Sequence, residues 1–245
     1  MNISLEKPLV TVITVCYNSS KTIERTIKSV LEQSYGTVEY IIIDGASTDG
    51  TQDIIKKYSS KITHWVSEKD GGIYEAMNKG LKISNGKLIS ILNSDDWYEN
   101  DTISKIVEGY IKHPEIDIYH GLLRFYDRNN IIDSIVGHCS SFLNTGMIEH
   151  PTCFVKKTLY EAVGFFDLKY RSAADYDWTL RAKKHGASFM LLPIICTNFS
   201  RGGMSDSSLG FLEELKIKKK YKVISHSKYL CWKFFTIIKS LFEKS

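Results

Sequence analysis

None of the five cysteines (Cys16, Cys139, Cys153, Cys196, Cys231) forms a C-x-x-C pair, and their number is odd. This argues against a disulfide framework or a zinc ribbon and points to a reducing, cytoplasmic compartment. His138, Cys139, His150 and Cys153 offer zinc ligands by composition, but their spacing fits no zinc template. No apolar run reaches the roughly 18 residues needed to span a bilayer, and the opening residues, Met1 to Pro8, lack the layout of a signal peptide. Two phosphate-binding loops are missing as well. The turn after the first apolar segment, Val15-Cys16-Tyr17-Asn18-Ser19-Ser20, holds no G-x-G-x-x-G, so it cannot cradle a dinucleotide pyrophosphate. No G-x-x-x-x-G-K-[ST] occurs, which excludes a P-loop NTPase. There is no internal repeat, low-complexity segment or clear linker.

What is present describes a soluble globular chain. It has 245 residues, 43% of them hydrophobic and 24% charged, enough for one large α/β domain. The net charge of +4 is unevenly placed. From Phe211 onward nine lysines face three acids, a net +6, which leaves −2 for residues 1–210. A basic segment of this kind suggests an anionic surface as partner, or a solvated charged helix.

The first 112 residues alternate strand and helix four times. β-Branched runs predict strands at Leu9–Val15, Tyr40–Ile43, Ile62–Val66 and Leu88–Leu92. Helical spacing predicts helices at Lys21–Gln33 (capped by Ser19-Ser20), around Ile54-Ile55, at Tyr74–Ile83 and at Glu99–Lys112. Such alternation is the mark of a parallel sheet with helices on both faces, whose ligands bind beyond the carboxyl ends of the strands. Asn18, Asp44, Glu68 to Asp70 and Asn93 to Asp96 all fall there. The second half is less regular, with strands expected at Asp117–His120, Leu122–Tyr126, Ile131–Val136 and Phe189–Cys196 and helices at Leu159–Val163 and Asp175–His185.

The doublet Asp95-Asp96 stands at the exit of the fourth strand. Adjacent carboxylates repel and cost free energy to desolvate. They fit a site where a divalent cation such as Mg²⁺ or Mn²⁺ bridges to substrate phosphates, or they cap the following helix.

These segments resemble a known family. Val12-Ile13-Thr14-Val15-Cys16-Tyr17-Asn18, then Ile43-Asp44-Gly45-Ala46-Ser47-Thr48-Asp49-Gly50-Thr51, then Asn93-Ser94-Asp95-Asp96 is similar to glycosyltransferase family 2, with its Rossmann-like GT-A fold. Glu68-Lys69-Asp70-Gly71-Gly72-Ile73-Tyr74-Glu75-Ala76-Met77-Asn78-Lys79-Gly80 is similar to a subgroup from bacterial surface-polysaccharide clusters. The resemblance runs from about Pro8 to Ser205. It implies a mostly parallel open α/β sheet over residues 1–210, with a nucleotide-sugar half (8–112), an acceptor half (113–210) and a basic amphipathic helical tail (211–245). It implies an inverting transferase that moves a hexosyl or N-acetylhexosaminyl unit from a nucleotide-sugar, a UDP-sugar, to a hydroxyl of a glycan or lipid-linked acceptor.

The resemblance also assigns residues. Val15, Tyr17 and Asp44 would meet the nucleotide base, and Asp70 and Asn78 would lie on the nucleotide side. Asn93, Ser94 and Asp95 fill the D-x-D slot, where Asn93 replaces the first acid and can bond ribose. Metal binding would rest on Asp95, with Asp96 as helper and Mn²⁺ or Mg²⁺ as cofactor. In the strand-two motif Gly45 replaces the second acid and Ala46 the glycine. The family's E-D pair becomes Ala174-Asp175, so Asp175 would be the general base; a helix N-cap is the alternative, and the two roles are compatible. His150 would bind acceptor, and Arg201, opening a glycine-rich loop to Ser205, would neutralise a departing diphosphate. The departures from the motifs also admit a catalytically weak sugar-nucleotide-binding partner of another transferase. A sugar-nucleotide pyrophosphorylase would need the glycine-rich first loop that is absent.

In the tail, Leu230, Phe234, Ile237, Ile238 and Leu241 share one helical face, with Lys228, Lys233, Lys239 and Lys244 mainly off it. That suits a helix lying in a membrane interface, on the inner face of the cell membrane, or a core-packing or dimer-forming helix. Nothing points to nucleic acid.

Overall fold

The computed structural model describes residues 7–127, 129–201 and 208–242. Four parallel strands form one side of a nine-stranded sheet: β1 (Val10–Cys16), β2 (Val38–Asp44), β3 (His64–Ser67) and β4 (Leu88–Asn93), in the order β3-β2-β1-β4. Their runs are apolar at successive positions because both faces are covered. Ile13, Ile41 and Ile89 join a core beneath helix α3 (Ile73–Ile83), while Val12, Ile42 and Leu88 join a second core beneath α1 (Ile23–Leu31). In α1, Ile23, Ile27 and Val30 recur at helical spacing and are buried, each such side chain contributing about 1.5–3 kcal/mol. Helices α2 (Thr51–Lys57) and α4 (Thr102–Lys112) complete this face with Ile55, Ile103 and Ile106.

Register sets the site. β1 pairs Cys16 with Asp44 and Val15 with Asn93, and β2 pairs Asp44 with Ser67. The exits of all four strands therefore lie side by side along one sheet edge.

Beyond β4 the sheet is mixed, so "mostly parallel" describes its first half. β8 (Phe154–Lys156) runs antiparallel to both β4 and β6 (Ile118–Tyr126). β9 (Phe189–Ser200) is parallel to β6, while β5 (Trp97–Tyr98) on β9 and β7 (Ile132–Val136) on β6 are antiparallel. The break expected at Gly121 is instead a register shift within β6. A Cβ there would fall 2.3 Å from the Cys196 sulfur, so only glycine permits the approach.

The starts of α3 and α5 lie one and two residues earlier than expected, and three further starts differ as well. α1 opens at Ile23 and not after Ser20, because the Ser19 hydroxyl bonds Ser94 (2.8 Å) and the Ser20 N–H bonds Asp49 (2.9 Å). α4 opens at Thr102, because Trp97-Tyr98 pairs with β9 and Glu99 accepts from both Arg124 and Asn198 (2.8 Å each). In α6 (Ala174–His185) the capping position is Ala173, so Asp175 lies inside the first turn and does not cap.

α5 (Lys157–Val163) and α6 pack on the α3 face through Tyr160 and Trp178. The segment after 210, expected as a tail, divides into α7 (Ser208–Lys220) and α8 (His226–Phe242). Leu215 and Ile217 of α7 are buried, and Ile217 belongs to the α3-side core. Among the described residues no helix is long and apolar enough to cross a membrane.

Candidate active site

The strand exits open into a cleft of ≈ 1760 Å³. Its floor on the donor side is a set of loops laced to one another. Asp44 is fully buried and organises the β2 exit: Oδ1 accepts from the Ser47 hydroxyl (2.5 Å) and the Cys16 thiol (3.4 Å), and Oδ2 from the Ser47 N–H (3.0 Å) and the Ser67 hydroxyl (2.6 Å). Burial, then the Asp44 charge, holds the Cys16 thiol protonated, far above its ordinary pKa. Asn18 receives the Thr48 N–H (3.0 Å), joining the β1 and β2 exits. Ala46, at the family's glycine position, keeps the left-handed backbone (φ 64°) that glycine would adopt without strain. Gly45 lets Asp70 lie over it, since a Cβ there would stand 3.0 Å from Asp70 Oδ2.

Val15, Tyr17, Asp70, Asn93, Ser94 and Asp95 line this side of the cleft. Tyr17 is 66% exposed and lines the cleft, where its ring face is open to a planar ligand. Three residues assigned to the donor side by resemblance are not on the cleft wall. Asp44 holds its loop from behind. Asn78 is buried, with both amide ends on the backbone of Phe166. Asp96 is fully buried, accepts from the Ser200 N–H (3.4 Å) on β9, and leaves Oδ2 without a partner among the described residues. Burial, followed by the adjacent Asp95 charge, pushes the Asp96 carboxyl well above the usual carboxylate range.

Asp95 is the carboxylate that faces the cleft, and burial raises its pKa too. Two positions earlier, Asn93 Oδ1 is a buried acceptor with no partner among the described residues. A half-desolvated carboxylate beside an orphaned amide oxygen is an oxygen donor set suited to a hard divalent cation. Among the described residues no group of three or more His, Cys, Asp or Glu could hold a metal alone. The fit is therefore to a cation shared with substrate phosphates. The zinc set His138, Cys139, His150 and Cys153 does not assemble: His138 Nδ1 lies 2.5 Å from Glu149 and the Cys153 thiol faces the Glu149 carbonyl.

The opposite wall carries His150, Asp175 and Arg201. Tyr74, from α3, donates to Asp175 Oδ1 at 2.9 Å. His150 packs edge-on to Phe166 (5.9 Å), and burial lowers its pKa, so the ring is neutral despite the nearby Asp175 charge. Asp177 is fully buried and turned away, held by Arg181 (3.1 Å), Lys220 (2.6 Å) and Tyr221 (3.2 Å). Arg201 pairs with Asp133 of β7 and stacks on Phe125 (4.4 Å). The glycine-rich loop from Gly202 to Ser205 lies outside the described residues. Leu123, Phe125, Val136 and Phe199 give this wall an apolar lining.

Three residues important to the architecture have partners that no local sequence pattern marks. Tyr74 reaches Asp175 across 101 positions. Arg25 of α1 bonds the Asp95 carbonyl (3.0 Å). Glu213 of α7 accepts the N–H groups of Arg171 (3.0 Å), Ser172 (2.8 Å) and Ala173 (3.2 Å), and so fixes the turn that leads into α6, which carries Asp175.

The sequence profile of glycosyl transferase family 2 matches residues 11–161. The chain belongs to glycosyltransferase family 2. An uncharacterised glycosyltransferase of Mycobacterium tuberculosis is 33% identical over 180 residues, which is 71% of this chain and 69% of that protein. A Bacillus subtilis protein named for teichuronic acid biosynthesis, the glycosyltransferase TuaG, is 42% identical over 105 residues, 42% of each chain. S. aureus TarS, solved with UDP-GlcNAc, superposes with a TM-score of 0.71 at 21% identity, covering 90% of this chain and 69% of that one. The mannosyltransferase PcManGT from Pyrobaculum calidifontis, solved with GDP-Man and Mn²⁺, gives 0.71 at 20% identity, covering 90% and 66%. Likeness at that identity establishes the GT-A fold.

Proposed function

We propose that this protein is an inverting glycosyltransferase. It would move a hexosyl or N-acetylhexosaminyl unit from a UDP-sugar to a hydroxyl of a glycan or lipid-linked saccharide, in surface polysaccharide synthesis. The observation that carries this reading is one cleft lined both by Asp95, just beyond β4, and by Asp175, in the first turn of α6. Tyr17 stacks on the base at the rim, and Asn93 and Ser94 take up ribose. Asp95, with Asn93, would hold Mn²⁺ or Mg²⁺, which supplies positive charge beside the leaving diphosphate.

Asp175 accepts the proton of the acceptor hydroxyl. The freed oxygen forms its bond to the anomeric carbon from the face opposite the departing phosphate oxygen, whose bond breaks in the same step. One displacement inverts configuration and needs no protein nucleophile. The neutral His150 ring, beside Phe166, shapes the acceptor side without adding charge. Arg201 can meet the diphosphate once released from Asp133. The work would be done at the cytoplasmic face of the membrane, reached through α8.

The test is a panel of UDP-, GDP- and dTDP-sugars with Mn²⁺, read first by thermal shift and then by nucleoside diphosphate release. Asp175→Asn is expected to abolish transfer and keep donor binding; Asp95→Ala is expected to lose both. A fully active Asp175→Asn enzyme would overturn the base assignment. Binding without any release would favour the catalytically weak partner.

A further inference from the structure

Helix α3 links the two walls of the cleft. Its Asn78 clasps Phe166 by both backbone groups, donating to the carbonyl and accepting from the N–H, each at 3.0 Å. One turn earlier the Tyr74 ring lies against the Phe166 ring, centroids 5.5 Å apart, and its hydroxyl donates to Asp175 Oδ1 at 2.9 Å. Tyr74 is 6% exposed. Burial, then the Asp175 charge, pushes its phenol well above the ordinary tyrosine pKa, so the hydroxyl keeps its proton and acts as donor. Asp175 Oδ2 receives no hydrogen bond from a described residue.

The start of the same helix is fixed on the donor side. Gly72 N–H bonds the Asp70 carboxylate (2.9 Å) and Gly71 N–H bonds Glu75 (2.8 Å). Asp70 and both glycines line the cleft. Tyr74 thus stands two residues from the donor-side loop and touches the carboxylate on the acceptor wall.

We propose that Tyr74 is a positioning residue for the base, on the reading of Asp175 given above. Its hydroxyl pins Oδ1, so that Oδ2 is presented to the acceptor hydroxyl, and the donor-side loop sets that orientation through α3. A carboxylate free to rotate would offer its oxygens to the acceptor at random; one fixed at Oδ1 meets it in a near-attack arrangement. The proton of the acceptor goes to Oδ2, and Tyr74 retains its own throughout. Phenylalanine at 74 keeps the ring packing on Phe166 and deletes only the pinning hydroxyl.

The experiment compares wild type, Tyr74→Phe, Asp175→Asn and the double variant. UDP-N-acetylglucosamine, UDP-glucose and GDP-mannose are the probes, nucleoside diphosphate release is the rate, and UDP binding is followed by calorimetry. Tyr74→Phe is expected to lower kcat on the order of tenfold, with KM and UDP affinity within about twofold. The double variant, with no rate left to lose, should keep the UDP affinity of Asp175→Asn within about twofold. A Tyr74→Phe enzyme at wild-type rate beside a dead Asp175→Asn would overturn this inference alone, as would a Tyr74→Phe enzyme whose UDP affinity falls along with its kcat. An active Asp175→Asn enzyme would remove the base assignment itself. Crystal structures of wild type and Tyr74→Phe decide the matter if none of the three probes turns over. Asp175 in the wild-type rotamer in both would overturn the inference, and a displaced or multiply placed carboxylate in Tyr74→Phe would support it.

Discussion

The Arg25 guanidinium lies 3.4 Å from the centre of the Trp97 ring and donates to the Asp95 carbonyl at 3.0 Å. The same nitrogen donates to the Ser200 hydroxyl (3.1 Å), which itself donates to the Asp95 carbonyl (3.1 Å). A helix of the donor half, the exit of β4 and the end of β9 meet at this one backbone oxygen. Arg25 does not line the cleft, yet it fixes the peptide that aims Asp95 into it.

Arg25→Lys is therefore not conservative. Lysine keeps the charge but loses the planar stack on Trp97 that holds Nη2 between its two acceptors. The expected outcome is UDP affinity in Mn²⁺ weakened about tenfold, or about 1.4 kcal/mol, while UDP affinity in EDTA changes little. Calorimetry under both conditions checks it. Equal loss in both would mean that Arg25 supports the fold and not the aim of Asp95.

Asp95 and Asp96 should separate under the same substitution. Asp95→Asn removes the cleft-facing charge and is expected to lower Mn²⁺-dependent UDP affinity tenfold or more, about 1.4 kcal/mol at the least. Asp96 is sealed behind β9, and an amide there still accepts the Ser200 N–H. Asp96→Asn is expected to leave that affinity within about threefold. Loss of metal dependence in Asp96→Asn would return Asp96 to the metal site.

The parallel half of the fold was legible because strands buried on both faces are mostly apolar: Tyr40 to Ile43 are so throughout, and Val10 to Val15 are so apart from Thr11 and Thr14, whose buried hydroxyls bond Glu39 and Tyr40. The mixed half was less so: Trp97-Tyr98 is too short a strand to show a period, and it takes its partner from β9, about a hundred residues away. Site motifs placed Asp95 and Asp175 at the cleft. They placed Asn78 there too, because a motif gives a position on α3 and not the direction of the side chain; Phe166 claims the amide. Arg25 and Glu213 were invisible for a related reason. Each acts on a backbone group 40 or more positions away, and nothing in the local sequence marks the receiver.

Glu213 also explains why α7 is part of the domain. Its carboxylate takes the N–H groups of Arg171, Ser172 and Ala173 in the turn that leads into α6. Glu213→Ala is expected to destabilise the fold by about 2 kcal/mol, read from urea unfolding, with a lower kcat because Asp175 rides on the loosened turn. Glu213→Gln should recover part of the stability, since the amide oxygen still accepts. A stability equal to wild type in Glu213→Ala would show that water serves those groups equally well.

His120 gives the fold an acid limit. It is fully buried in β6, and neither ring nitrogen has a partner among the described residues. Burial lowers its pKa to about 4 against the Glu149 charge, which acts the other way. The unfolded chain binds a proton near the ordinary value of about 6.5, so between these two values the unfolded state holds more protons. Stability contributed by the neutral ring is complete above that range and falls as pH drops through it, by up to about 1.4 kcal/mol per pH unit. His120→Leu, similar in volume, is expected to lose clearly less stability than wild type between pH 7.5 and 5. Parallel losses in the two proteins would show that His120 does not set the limit.

Part of α8 is exposed, and the membrane association proposed for it can be tested there. Tyr229 is buried against α7, and Trp232 stacks on Phe211 with centroids 6.0 Å apart, whereas Leu230 and Phe234, one turn apart, are 50% and 64% exposed. Lys228 lies over Trp232 (5.2 Å) and Lys233 over Tyr229 (6.0 Å), on a segment of net charge +6. An anionic bilayer would suit both features, with Leu230 and Phe234 in the acyl boundary and each lysine contributing about 1 kcal/mol near the surface. Full-length protein is expected to sediment with phosphatidylcholine vesicles carrying about 30% phosphatidylglycerol, and not with phosphatidylcholine alone. Leu230→Glu with Phe234→Glu should abolish sedimentation and keep UDP affinity. Lys228→Glu with Lys233→Glu should weaken sedimentation most at low salt, where charge is least screened. If wild type ignores both vesicles but dimerises in sedimentation velocity, and the Leu230→Glu, Phe234→Glu variant is monomeric, the face belongs to a second copy of the chain and not to a membrane.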